Sequence, residues 1–481
     1  MIDTQNKYNY DYLESYRQIM DPACDDTIND LFSSKSFEEY REILKNMVSN
    51  DSLQSKTLDP IIYSFLNSNL HPPFEQYDFK MFRKAYKVWK RDGIKFIYIL
   101  FFRSLPYTYM AEKPAHVLKL TKLLKEHPER RIIETAQFIF DVMEDGWWKP
   151  EKSGKLTALK IRMLHSTIRY LLLKNLKEEI NDPKIDKWNP EWGMPISQED
   201  LIATNQVFSL EFIKGMEILG HPLKQDEQEA WYHTWKVIGK IMGIQDDLLN
   251  DNIEEAWSLQ KSIYNHLFEN NDHTSGIILG QALVTTLSKF LISERLVLHQ
   301  MKNMIKDDDH PEIFNKIFGP TYKNKHPLLF KDIPADHPLN EQHENELHID
   351  HHQELTLLHS KLKNIRDEDG SLGANKNIIG RYLQKFLSLM GDILHNKFKI
   401  DTPIRRKRHL IDLHLDQTLK VLNKHKPHSA KSPNRAIFKQ EVMQALSGII
   451  LGQLCKEFRI HKLTEFRIPH DIQENWSLKH R

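Results

Sequence analysis

Fourteen consecutive residues, Leu159 to Leu172, contain neither proline nor glycine and are mostly good helix formers. Wound at about 100° per residue, they put Ile161, Ile168 and Leu172 on one side of His165. Arg162 and Arg169, seven positions apart, fall nearly on top of each other on its other side. The histidine therefore lies on a seam between an apolar strip and a double-arginine edge. Unbroken periodic runs recur along the chain, and only 17 of its 481 residues are glycine. That patterning predicts an all-α protein, a multi-helix core with additional N- and C-terminal helices.

The seam has a chemical reading and a plainer one. An imidazole can ligate a haem iron, apolar side chains can pack on a porphyrin, and guanidinium groups can pair with propionates. Equally, a half-buried helix can have its histidine bonded to a neighbouring backbone and its arginines paired with other helices. Geometry alone favours the plainer reading.

A chain of 481 residues can bury a large core, as two domains or as one domain with a substantial extension. The 67 basic and 66 acidic residues leave a net charge of +1, so nothing electrostatic points to nucleic acid. The two cysteines, Cys24 and Cys455, make neither a metal-binding spacing nor a disulfide framework, and a reducing cytoplasm is the expected setting. The first residues lack a charged-then-apolar signal pattern. The longest apolar run, Ile94 to Phe102, is interrupted by Lys95 and too short to span a bilayer, so no transmembrane segment is expected. Oligomeric state is not legible.

Four regions follow from composition and breaks: an N-terminal helical arm (1–75), a main helical domain (76–305), a linker (306–345) and a C-terminal helical extension (346–481). In the main domain a helical pattern from Phe79 to Phe102 is interrupted at Asp92-Gly93, Pro106 ends a segment, and Pro114 opens the next helix. A helix from Arg131 to Met143 carries Arg131, Thr135, Phe138 and Val142 on one face. The turn residues of Asp145 to Gly154 precede the His165 helix, which runs to about Glu179. Ser197 followed by Asp200 reads as a helix N-terminus, with Gly220 closing that helix. The next helix aligns Trp231, Trp235, Ile238 and Met242, and Gly239 and Gly243 permit close approach or mark its end. Helices at 253–269 and 275–300 complete the core. Asp307 to Asp309 with Pro320, Pro327, Pro334 and Pro338 make the linker, and His348 and His352 beyond it have a helical metal-binding spacing without a supporting signature.

Several pieces, in order, carry a resemblance: Ser-Leu-Pro-Tyr at 104–107, Arg-Arg-Ile-Ile-Glu-Thr-Ala-Gln-Phe at 130–138, and Arg-Met-Leu-His-Ser-Thr-Ile-Arg at 162–169. Gly-Met-Pro-Ile-Ser-Gln-Glu-Asp-Leu-Ile-Ala-Thr at 193–204, Phe-Ser-Leu-Glu at 208–211 and Ala-Trp-Tyr-His-Thr-Trp-Lys-Val-Ile-Gly at 230–239 continue it. Together they resemble the MpaB and rubber-oxygenase (latex-clearing protein) family. The resemblance implies a globin-like helical core, haem b as cofactor, and use of dioxygen to cleave carbon–carbon double bonds in an apolar, isoprenoid substrate. It implies His165 as the proximal iron ligand and Arg131 and Thr135 as distal-side residues. Arg162 and Arg169 match arginines flanking the ligand, with propionate or supporting roles. Phe138, Val142, Trp231 and Trp235 are candidates for an apolar substrate route, or simply core.

Two positions depart from the pattern. Rubber-cleaving members carry a lysine just before the distal threonine, where this chain has Glu134. Their upstream glutamate has no secure counterpart, since Glu112 precedes Pro114 in a segment that reads as a loop. Three functions remain open: a haem-dependent oxygenase, a non-catalytic haem-binding or helical scaffold or sensor protein, and a non-haem metalloprotein using His348 and His352.

Overall fold

The computed structural model describes residues 7–36, 58–70, 77–120, 138–149, 152–177, 187–268, 272–291, 294–305 and 310–330, with Glu39, Glu42, Ile43, Met47 and Thr135. The protein is all-α, with no strand among the described residues. His348, His352 and the rest of the C-terminal extension lie outside those residues. Two compact units divide the described chain, one holding residues 7–282 and 310–317, the other 283–305 and 318–330.

The first unit opens with α1 (Tyr10–Arg17), α2 (Pro22–Ser34) and α3 (Pro60–Leu70). These belong to the main core: α2 packs on the long helix that carries His165, and Arg17 is completely buried. Next comes α4 (Phe79–Ile99), started by Asp78, whose side chain accepts the Lys80 and Met81 N–H groups. It runs straight through Asp92-Gly93, where an interruption was expected. A helical glycine costs only about 1 kcal/mol, and the buried Asp92 carboxylate is held by Arg91 at 2.7 Å and Lys95 at 2.6 Å. The irregularity comes later, as a π-helical turn at Leu100–Ser104 that leads into α5 (Leu105–Met110).

Pro106 lies in the first turn of α5 rather than ending a segment, where its missing donor costs nothing. The next helix, α6 (Glu112–Leu120), starts two residues before Pro114, so Glu112 is helical rather than in a loop. Its carboxylate accepts the Ser275 N–H at 2.9 Å and that of Gly276 at 3.4 Å, capping α11 (Thr274–Leu291).

Between them lie α7 (Ser153–Lys177), α8 (Gln198–Ile218), α9 (Gln225–Ile241) and α10 (Ile253–Phe268). The hub is α8, against which α1, α4, α5, α9 and α10 all pack. Sixteen of its 21 residues are buried and only Thr204 and Glu217 are exposed, so its buried polar side chains must find protein partners. Ser197 and Asp200 form the expected capping box. Gly215 lets α4 lie close, since a Cβ there would sit 2.5 Å from Cγ2 of Ile99.

The segment expected as one helix over 275–300 is two, α11 and α12 (Glu294–Ile305). The presumed linker holds α13 (Ile313–Tyr322), with Pro320 inside it. There the buried stripe Ile313, Phe314, Ile317 and Phe318 outweighs the composition. Within the second unit, α12 buries Val297, Leu298, Met301 and Met304.

Candidate functional site

The site is built on α7, at 25 residues the longest described helix. Its start is anchored three ways. The Lys155 N–H donates to the Trp147 carbonyl at 3.2 Å, the Lys155 Nζ to the Leu70 carbonyl at 2.6 Å, and the Thr157 hydroxyl to Asp141 at 3.0 Å. His165 follows three turns later, half-buried, with its Nδ1 atom enclosed. Of the apolar strip expected beside it, Leu172 is buried and Ile161 and Ile168 are half-buried, while Met163 and Leu171 are buried on other faces of the helix.

The double-arginine edge predicted from spacing is present, and both guanidiniums have acidic partners. Asp21, at the N-cap of α2, holds Arg162 bidentately: Nε to Oδ2 at 2.6 Å and Nη2 to Oδ1 at 2.7 Å. Arg162 also donates to the Ile241 carbonyl at 3.3 Å. Burial opposes the charge on Arg162, but the Asp21 pair more than offsets it and holds the guanidinium above its ordinary pKa. Arg169 donates to Asp25 at 2.9 Å, to the Ile196 carbonyl at 2.9 Å and to the Ser166 hydroxyl at 2.9 Å. Both guanidiniums are thus directed at aspartates, backbone carbonyls and a serine hydroxyl. Cys24, on α2 beside Ser166, is buried, and burial pushes its thiol up to about 12.

Asp21 and Asp25 escaped the sequence reading. Their signal was an acidic pair one helical turn apart, facing an arginine pair two turns apart; nothing local links residues more than 130 positions distant.

Thr135 is helical and half-buried, while Arg131 and Glu134 lie outside the described residues. Phe138 and Val142 are buried, and so are Trp231 and Trp235. Phe208 stacks on Trp235 with ring centroids 5.1 Å apart, Phe138 meets both rings edge-on at 6.3 Å, and Trp231 contacts Phe212 at 4.3 Å. These aromatics form one apolar cluster joining α8, α9 and the 138–142 helical stretch, and α9 also packs against α7.

A second polar group lies elsewhere in the unit. Arg103, from the π-helical turn, pairs with Glu211 at 2.6 Å, and the Tyr264 hydroxyl donates to Glu211 at 2.9 Å. They line a cleft of about 470 Å³ to which none of the predicted site residues contributes.

The family model described as ER-bound oxygenase mpaB/B'/Rubber oxygenase, catalytic domain, matches residues 101–301. A rubber oxygenase of Streptomyces sp. (strain K30) is 26 % identical over 136 residues, which is 28 % of this chain and 31 % of that relative. The match thus spans under a third of the relative's length. Latex clearing protein in its closed state is similar in structure with a TM-score of 0.51 at 16 % identity, covering 68 % of this chain and 89 % of that one. At that identity the likeness shows a shared helical fold. Among the described residues no helix is long and apolar enough to cross a membrane.

Proposed function

Because residues 101–301 belong to the MpaB and rubber-oxygenase catalytic-domain family, we propose that this chain is a haem b-dependent oxygenase acting with dioxygen on an apolar unsaturated substrate, isoprenoid in character. One observation carries the reading: His165 stands in the middle of a rigid, buried helix, within the family match, in an Arg-x-x-His-x-x-x-Arg setting. A cytoplasmic setting is part of the same reading and rests on the sparse cysteines.

The residues present fit a haem in two respects. His165 offers one imidazole from a helix with apolar neighbours, and Trp231 and Trp235 are buried on α9, which packs against α7. Propionates would need cations other than Arg162 and Arg169. When bound, the group supplies dioxygen binding and activation, chemistry that no side chain here provides. The chain's own contribution is orientation and exclusion of water: α7 presents the imidazole, and the aromatic cluster supplies apolar packing on the neighbouring α9. The Thr135 hydroxyl and the Arg131 guanidinium serve as hydrogen-bond donors where negative charge develops on oxygen. Glu134, in place of the lysine of rubber-cleaving members, favours a second reading in which the protein takes up haem without consuming dioxygen.

The test is an absorption spectrum of protein expressed with a haem precursor, alongside His165→Ala. A Soret band in the parent and its loss in a variant of unchanged helical content is the expected result. A band retained in full by the variant would end the ligand assignment, and no band in either would end the haem reading. Dioxygen uptake on unsaturated lipids then separates oxygenase from carrier.

A further inference from the structure

Resting on the haem reading of His165, we infer that α2, which lies outside the family match, sets the direction of that histidine. Asp21 and Asp25 are its positioning residues.

Arg162 and Arg169 both lie roughly 50° around α7 from His165, on one edge of the helix. A helix packed by apolar side chains alone can rotate about its axis by small amounts at modest cost, because dispersion contacts are non-directional. Charged hydrogen bonds are directional. Two of them, seven residues apart and bracketing the histidine, hold the edge of α7 against α2 and leave the imidazole one direction to point. Asp21 gives up an ordinary role for this. It occupies the N-cap of α2 yet makes no side-chain cap, its carboxylate being taken by Arg162. Asp25 fills in, accepting the Asp21 N–H at 3.0 Å through one oxygen while the other takes Arg169 at 2.9 Å.

The surroundings are shaped around the same pair. Gly243 has φ +91°, and a Cβ there would lie 2.4 Å from Asp21 Oδ2 and 2.7 Å from Arg162 Nε, so only glycine admits the ion pair. Gln198, at the start of α8, donates to both the Met20 and Gly243 carbonyls, at 2.7 and 2.9 Å, locking the end of α9 to the residue before Asp21. Ile196, a branched residue at φ +52°, is held there with its carbonyl on Arg169. Such convergence of three segments around two arginines, with one strained residue and one obligatory glycine, is more than a surface ion pair would require.

Asp21→Asn and Asp25→Asn keep shape and remove charge, and Arg162→Lys keeps charge and removes the fork. Each is compared with Glu211→Gln, which weakens a buried ion pair of the second polar group. The readouts on the full-length, haem-loaded protein are the Soret maximum, the rate of haem transfer to excess apomyoglobin, and thermal unfolding. Loss of a group bonded directly to a ligand typically costs 10–100-fold in affinity, and these residues act on His165 only through α7, so haem transfer roughly threefold faster with a displaced Soret band is expected for the α2 and Arg162 variants. Glu211→Gln is expected to lower the unfolding temperature without either change. Transfer rates and spectra equal to the parent's, or a rate increase that merely tracks lost stability across all four variants, would overturn the positioning role alone. Should Asp21→Asn not fold, Asp25→Asn and Arg162→Lys decide the matter by the same criteria. A parent protein that takes up no haem would overturn the haem reading and this inference together.

Discussion

Lys155 is 1 % exposed, and burial lowers its pKa from 10.5 to about 8. Between those values the unfolded chain keeps a proton that the folded chain has shed, so stability from this group rises with pH across the window. Urea unfolding should therefore show parent protein gaining on the order of 3 kcal/mol relative to Lys155→Met between pH 8 and pH 10.5. A constant difference across that range would mean the ammonium is solvated. At this scale the sequence was informative about residue types and poor about partners. The seam of His165, Arg162 and Arg169 could be read from periodicity, because side chains three, four and seven apart must share a helix face. That Asp21 and Asp25 would take the arginines could not be read, since ion pairing is decided by what α2 packs against.

Elements followed the sequence where local chemistry and packing agree. The capping box at Ser197 and the turn at Gly220 emerged from short-range rules, whereas α7 already starts at Ser153, inside the stretch expected as a turn. Where they conflict, packing prevailed: α4 passes through Gly93 because its Phe82, Ala85, Val88 and Phe96 side chains are buried, and α13 forms around Pro320 because its apolar stripe is covered. The α4–α8 crossing shows the reverse dependence, where one small residue permits an entire contact. Gly215→Ala would place a methyl 2.5 Å from Ile99. Overpacking of this kind costs about 1–3 kcal/mol despite alanine's better helix propensity. Calorimetry should show a lowered unfolding temperature, partly restored by Ile99→Val. A more stable Gly215→Ala would mean that α4 moves aside freely.

On the scale of the whole molecule, the N-terminal helices are tied to the rest of the first unit by buried ion pairs. Arg17 pairs with Asp200 and donates to the Trp192 carbonyl at 2.8 Å, while Asp21 and Asp25 hold α7. Deleting residues 1–36 would leave Asp200, Glu199, Arg162 and Arg169 with buried charges and lost partners, a penalty of about 3–5 kcal/mol for each broken pair. The truncated chain is expected to lose its cooperative thermal transition and to bind a hydrophobic dye; a sharp transition within a few degrees of the parent would show that the core closes without α1 and α2. Sequence alone determined the all-helical class, the His165 helix and its arginine edge, and the resemblance that points to oxygen chemistry. Each depends on periodicity, capping or motif order within a few residues. Tertiary structure alone decided that α8 is the hub, that α2 grips α7, and which of the charged groups are spoken for. Those outcomes depend on which faces meet across long separations, and the same local pattern is compatible with many such meetings until the core closes.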